Sequence, residues 1–555
     1  MRSMAVALVG LSWVSGLQAE PLPSYLNSNE TERTLPAPNL PADAFRPAAP
    51  ALQVPTPSAQ SQPLMMNTRV LIRKIRIEGG TVYPLSDLRD NYKDLIDREV
   101  TVGDLIEATR RLTQRYQQDG YLLSYAFLPV QNFAEGRLRV VLVEGYIRDY
   151  ELQGDVGRVS AYLDKLVTKL KAERPLTRKT FERYTSLMSR VPGITLQAQV
   201  PPPGTTDGAS KMVVQASRKP FTTSMNLTDG SRDDVQALFA ANSNAQTAVA
   251  EQLSVSALFP PGDDKEHYFR VDYSQNLDLE GTQLNLSASR YRSDPSAVVQ
   301  LQNGIDLKQH RENDRYSIGL SHPLIASPTE WLNVAARFYA VNDTTDYRVI
   351  GLPLKVSTST DIRALAFEGD WRKATERQLR IVSAGVYQGL DHFGADTNAG
   401  YDLDFFRLRL SGVQSDRFFD NWQGVASAAA YWTDDSLPDS ERAVFGGQNF
   451  GRGYPVDQAS GDKGWGVAYE VNYSFRREGD WVKLLQPYVV LDAARTWFNE
   501  LEVQDSRMSS TAVGLRFGDA RYYNIALEVA KPMSDIALDS FNRRPRFTVS
   551  FSYQL

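Results

Sequence analysis

The 555-residue chain has no cysteine and only four histidines. The absence of thiols excludes a disulfide framework and a thiolate-held metal. His267, His310, His322 and His392 are scattered without ligand spacing, so neither metal nor cofactor is expected. The chain also lacks a long apolar run. The mostly apolar stretch Met4–Leu17 has 14 residues, short of the roughly 20 that a spanning helix needs, and no later stretch approaches that length. The net charge of −5 lacks the basic excess of a nucleic-acid binder. No Ser/His/Asp arrangement is signalled, and no glycine cluster sits in a phosphate-binding strand–loop–helix context. An enzyme is therefore not expected.

What is present begins with a secretory signal. Arg2 precedes the apolar run, and Leu17-Gln-Ala-Glu20 supplies a small residue before a cut after Ala19. Residues 20–67 carry ten prolines and read as an extended leader, with a candidate plug helix around residues 25–34.

Residues 68–147 have α/β character. Val70–Ile77 reads as a strand, Pro84 opens a short helix, and Thr101 with Asp104 forms a capping box. Leu105, Ala108, Leu112 and Tyr116 then share one helical face. Gly120 ends that helix, and strands follow at Leu123–Leu128 and Leu138–Val143. Residues 148–219 repeat the same β-α-α-β-β order. The apolar edge Ser124, Tyr125, Ala126, Phe127 and Leu128 lies beside a helix. It is the candidate strand to which an extended client could add, although its apolar residues also suit a core.

From residue 220 the period becomes two. Leu332, Val334, Ala336 and Phe338 alternate with Asn333, Ala335, Arg337 and Tyr339, and Phe406, Leu408 and Leu410 with Arg407 and Arg409. About sixteen segments of this kind predict a mainly β fold: a 16-stranded transmembrane β-barrel with a polar lumen, preceded by two small α/β units. Within it, the loop 435–463 is glycine-dense and carries Arg452 near its tip. Alternation in Tyr488–Trp497 points Asp492 into the lumen, where a carboxylate needs water or a partner. Arg452 can supply a bidentate one, and Glu470 is a competing or additional acceptor.

These pieces together resemble the two-partner secretion transporters, the haemolysin/haemagglutinin secretion-activation branch of the polypeptide-transport barrel superfamily. The first α/β unit is similar to a POTRA domain through Gly120-Tyr121, Leu128-Pro-Val-Gln131 and Val143-Glu-Gly-Tyr-Ile147. The second is similar through Val191-Pro-Gly193, Pro203-Gly204 and Gly208. In the barrel the resemblance rests on Phe445-Gly446-Gly447, Arg452-Gly453-Tyr454, Ser460-Gly461-Asp462, Gln486–Asp492 and Gly514-Leu-Arg516. Gly451 stands where the family usually has valine, and Ala494 where it usually has glycine.

The resemblance implies a Gram-negative outer-membrane pore with periplasmic POTRA domains. It implies export of a large exoprotein, unfolded in the periplasm and β-helical outside, through a barrel embedded in outer-membrane lipid. It also implies that the loop enters the barrel and that Arg452 meets Asp492. The alternative class is an assembly factor for other outer-membrane barrels.

Overall fold

The computed structural model describes residues 66–229, 235–262, 265–295, 298–300, 306–448, 450–456, 458–479, 481–500, 505–519 and 522–554. The expected signal sequence, the leader up to residue 65 and its helix around residues 25–34 lie outside the described residues. The chain divides into two compact units.

One unit contains both α/β repeats. In the first, strands Lys74–Glu78 and Arg137–Val143 pair in parallel, and Tyr125–Phe127 pairs antiparallel on the far side of Arg137–Val143. In the second, Tyr146–Gln153 and Ala209–Arg218 pair in parallel, with Ile194–Gln199 antiparallel beyond. Each repeat places two helices between its first and second strands, at Leu85–Asp90 and Val102–Gln118, then at Ser160–Ala172 and Arg178–Ser189. The reciprocal Thr101–Asp104 capping box is present. Leu105, Ala108, Leu112 and Tyr116 are buried against Leu138, Val140 and Leu142, as 3.6-residue periodicity requires.

The sequence motifs of the first repeat have local physical roles. Glu144 accepts the backbone N–H groups of Thr81 (2.7 Å) and Val82 (3.0 Å) and the hydroxyl of Tyr116 at 2.9 Å. Burial alone would raise its pKa, but these hydrogen bonds from Thr81, Val82 and Tyr116 bring it below the ordinary value. Gln131 exchanges two bonds with the backbone of Arg139, acting as one more rung of the sheet.

Two expectations are corrected. The stretch Val70–Ile77 is two strands, Arg69–Ile72 and Lys74–Glu78. They are separated at Arg73, because the N–H groups of Arg73 and Lys74 converge on the Gly136 carbonyl. The first of them pairs with Arg98–Thr101 in a separate small sheet. The candidate edge is also shorter than Ser124–Leu128, with only Tyr125–Phe127 forming strand. Ser124 is buried and accepts the Gly145 N–H. The Ala126 N–H donates to Thr113 Oγ1 at 2.9 Å.

The other unit is a closed barrel of 16 long strands, running from Phe221–Asp229 to Arg546–Gln554. It closes where the last strand pairs with the first, Ser550 opposite Thr228 and Tyr553 opposite Met225. Alternation sets the two faces. Leu410, Val489, Leu491 and Val513 lie exposed on the outside, whereas Arg407, Arg409, Asp492 and Arg516 are buried toward the lumen. An apolar exterior with a charged interior inverts the usual arrangement of a soluble protein, as a bilayer demands. Strands Asp306–Ala326, Glu330–Val349 and Lys355–Ala374 have 21, 20 and 20 residues. That is about twice what crossing the hydrocarbon takes, so their excess lies beyond it.

Candidate functional site

The segment between strands Trp422–Trp432 and Lys463–Tyr473 folds into the barrel instead of away from it. Its two arms pair as a short hairpin, Ala443–Phe445 against Ala459–Gly461. Phe445, Phe450 and Tyr454 are buried against Tyr431, Ala494 and Met508 of the wall. Phe445 meets Tyr431 and Phe450 edge-on, each at 5.8 Å between ring centroids. Ala494 lies among these residues, so the small side chain at that position makes room for the loop's aromatic rings.

Asp492 faces the lumen and binds the tip of the loop, though not as the sequence suggests. Its carboxylate accepts the backbone N–H groups of Gly451 at 2.8 Å and Arg452 at 3.3 Å, and the Ser510 hydroxyl at 2.7 Å. With those three donors its valence is taken by backbone and hydroxyl. The Arg452 guanidinium passes it and pairs with Glu528. The expected Arg452–Asp492 side-chain pair is therefore replaced by a backbone clasp to Asp492 and a side-chain clasp to Glu528.

Glu470 lies 4.0 Å from Arg452 Nη2 but is committed elsewhere. Arg516 grips it with two bonds, of 2.5 and 2.7 Å, and Asn472 donates a third at 3.0 Å. Tyr488 joins the two ion pairs. Its hydroxyl donates to Glu528 at 2.8 Å, and the Arg516 guanidinium lies 3.9 Å from its ring centroid. Two arginines and three carboxylates thus form one connected network, with each carboxylate receiving several donors, as buried charge requires.

Glu528 is the residue that sequence reasoning missed. Its signal is faint but physical. In Tyr523–Pro532 the inward positions are Asn524, Ala526, Glu528, Ala530 and Pro532, a lone acid flanked by alanines on a lumen face.

Backbone shape brings the tip within reach. Gly451 has φ +94°, and this conformation aims its N–H at Asp492. A valine there would be strained, so the usual family residue would disturb this clasp. Gly453 passes so close to the wall that a Cβ would sit 2.5 Å from the Pro532 nitrogen.

The other loop residues fix its path. Tyr454 donates its hydroxyl to the Ser509 carbonyl and accepts the Ser534 N–H. Gln448 reaches Thr228 of the first strand at 3.1 Å. Asp462, almost fully buried, accepts the N–H groups of Leu437 and Asn499, tying both ends of the loop to the turn that follows strand Leu484–Trp497. Ser460 and Gly461 lie in the hairpin itself, and the N–H groups of Gly446 and Gly447 donate to the Phe450 and Tyr454 carbonyls, turning the chain beyond it.

A closed barrel of this polarity, carrying α/β repeats before it and a loop drawn into its lumen, is the architecture of outer-membrane polypeptide transporters. The haemolysin secretion/activation protein model ShlB/FhaC/HecB matches residues 217–517, and a ShlB-type POTRA domain matches residues 70–145. The chain belongs to this family. It is an outer-membrane translocation pore of a two-partner secretion system, with its POTRA region in the periplasm, and it exports a large secreted partner protein.

It is 20% identical over 461 residues, 80% of each chain, to the heme/hemopexin transporter protein HuxB of Haemophilus influenzae strain 86-028NP. The structure is similar to CdiB from Escherichia coli, with a TM-score of 0.69 at 16% identity over 92% of this chain and 94% of that one. It is similar to a lesser degree to BamA from Haemophilus ducreyi lacking POTRA domains 1–3. That TM-score is 0.51 at 13% identity, over 87% of this chain and 100% of that one. At these identities the structural likenesses speak for the fold.

Proposed function

We propose that the loop is the pore's resting closure, and that Asp492 and Glu528 of the wall, gripping Gly451 and Arg452 of the tip, form the clasp that holds it. The single observation that carries this reading is the double hold on the loop tip. Asp492 takes its backbone and Glu528 takes its guanidinium. A loop held at both places obstructs the lumen, so transport requires the clasp to open.

In this reading the partner arrives unfolded in the periplasm and adds as a strand beside Tyr125–Phe127 of the first POTRA domain. The repeat at 148–219 acts as a second POTRA domain. The partner then passes through the lipid-embedded barrel and folds outside into a β-helix, which supplies direction where no nucleotide is available. No covalent chemistry is required of the pore.

Quantitative proteomics of surface, medium and outer-membrane fractions, with and without this protein, tests the assignment. Loss of one large exoprotein with other barrels unchanged is expected. A broad fall in outer-membrane barrels would make it an assembly factor. In the same cells Arg452→Ala should leave an assembled barrel that secretes poorly, and normal secretion by that variant would remove the clasp from the mechanism.

A further inference from the structure

The lumen-crossing segment is held at a second place, by charges of the opposite arrangement. Glu441 ends the short turn Asp439–Glu441 at the shoulder of the loop, and it is completely buried. Its Oε1 accepts from Arg315 Nη2 at 3.1 Å. Its Oε2 accepts the Tyr339 hydroxyl at 3.1 Å and lies 3.1 Å from Arg407 Nη2. Arg407 Nη1 also donates to the Glu441 carbonyl at 2.6 Å. The three wall residues come from three strands, Asp306–Ala326, Glu330–Val349 and Phe406–Arg417. The Arg407 guanidinium rests 4.2 Å from the Tyr387 ring centroid, which fixes its direction toward the lumen.

At the tip of the loop the wall supplies the acids and the loop the cation. At the shoulder the wall supplies two cations and a hydroxyl, and the loop supplies one acid. The difference matters when the loop moves. Withdrawing Glu441 takes away the carboxylate that Arg315 and Arg407 share, and two buried guanidinium groups on ladder strands favour another carboxylate in its place. A polypeptide in transit carries carboxylates past this point.

We propose that Arg315, Arg407 and Tyr339 form a carboxylate-binding site on the lumen wall. Glu441 fills it while the loop is in place, and aspartate or glutamate side chains of the transported chain fill it once the loop has left. The proposal rests on the reading of the loop as the pore's closure.

The test uses the purified full chain in planar lipid bilayers, with barrel folding checked by heat-dependent gel migration. A variant in which two glycines replace residues 439–461, Glu441 included, should conduct more than the native chain. Glu441→Gln should conduct for about tenfold more of the time, as charge-assisted bonds become neutral ones. Poly-glutamate should block the loop-deleted pore, polyglutamine of equal length should not, and Arg407→Gln in that background should relieve the block. Arg407→Lys, which keeps the charge without the fork, serves if the glutamine variant fails to fold, and it should weaken the block.

Equal block by both polymers, or block that survives loss of Arg407, overturns the carboxylate site. Native conductance in Glu441→Gln overturns its filling by Glu441. Unchanged conductance on loop deletion overturns the closure itself, a separate failure.

Discussion

The guanidinium of Arg452 pairs with Glu528, a wall residue 76 positions further along the chain. The loop tip and the strand Tyr523–Pro532 are thereby joined through an ion pair whose side chains are 12% and 6% exposed. Asp492 holds the same tip through its backbone N–H groups instead.

Removing the acid should therefore loosen the loop more than the sequence motif suggests. In Glu528→Gln, the bond after Arg452 is expected to become cleavable by trypsin in the folded barrel, while the native chain resists. Breaking a buried pair costs about 3–5 kcal/mol where water is excluded and less in a wet lumen. A double-mutant cycle with Arg452→Gln measures which regime applies. Full additivity of the two substitutions would show that the residues do not interact.

Gly453→Ala should seat the loop poorly without disturbing the barrel. The added Cβ would meet the Pro532 nitrogen at 2.5 Å and the Lys531 carbonyl carbon at 2.7 Å, and both are backbone atoms that cannot swing aside. Heat-dependent migration should remain native while conductance rises. Native conductance would mean the loop can pass the wall differently.

Thr113 tests the client edge. Its hydroxyl occupies the amide of Ala126, in the strand to which a client would add. Thr113→Val should free that amide and strengthen binding of the unfolded partner several-fold, read by titration against the purified chain. Weakened or unchanged binding would argue that clients dock elsewhere.

Acid should weaken the first repeat through Glu144. Its folded pKa lies below the ordinary 4.5, so the ionised carboxylate stabilises the fold above that pH. The contribution disappears as pH falls through the folded value. A fragment spanning residues 66–218 should melt progressively lower in that window, and Glu144→Gln should flatten the dependence while lowering stability at neutral pH. A parallel acid dependence in the variant would assign the effect to another group.

Much of this protein was determined locally and could be read from the chain. Period-two alternation specifies which face of each barrel strand meets lipid, because successive side chains point to opposite sides. The capping box and apolar stripe of Val102–Gln118 specify a helix in the same local way, and the lumen position of Asp492 follows from its neighbours Val489 and Leu491. The partners across the lumen were decided only by the tertiary structure. Arg452 had Asp492, Glu470 and Glu528 on wall strands within reach of one loop. The choice fell to Glu528 because the Gly451 and Arg452 amides and the Ser510 hydroxyl already occupy Asp492, while Arg516 holds Glu470. Glu441 met Arg315, Tyr339 and Arg407 only when barrel closure brought three strands around the shoulder of the loop. Periodicity is a property of neighbours along the chain, but the pairing of charges across a cavity depends on which donors and acceptors the whole fold brings to the same place.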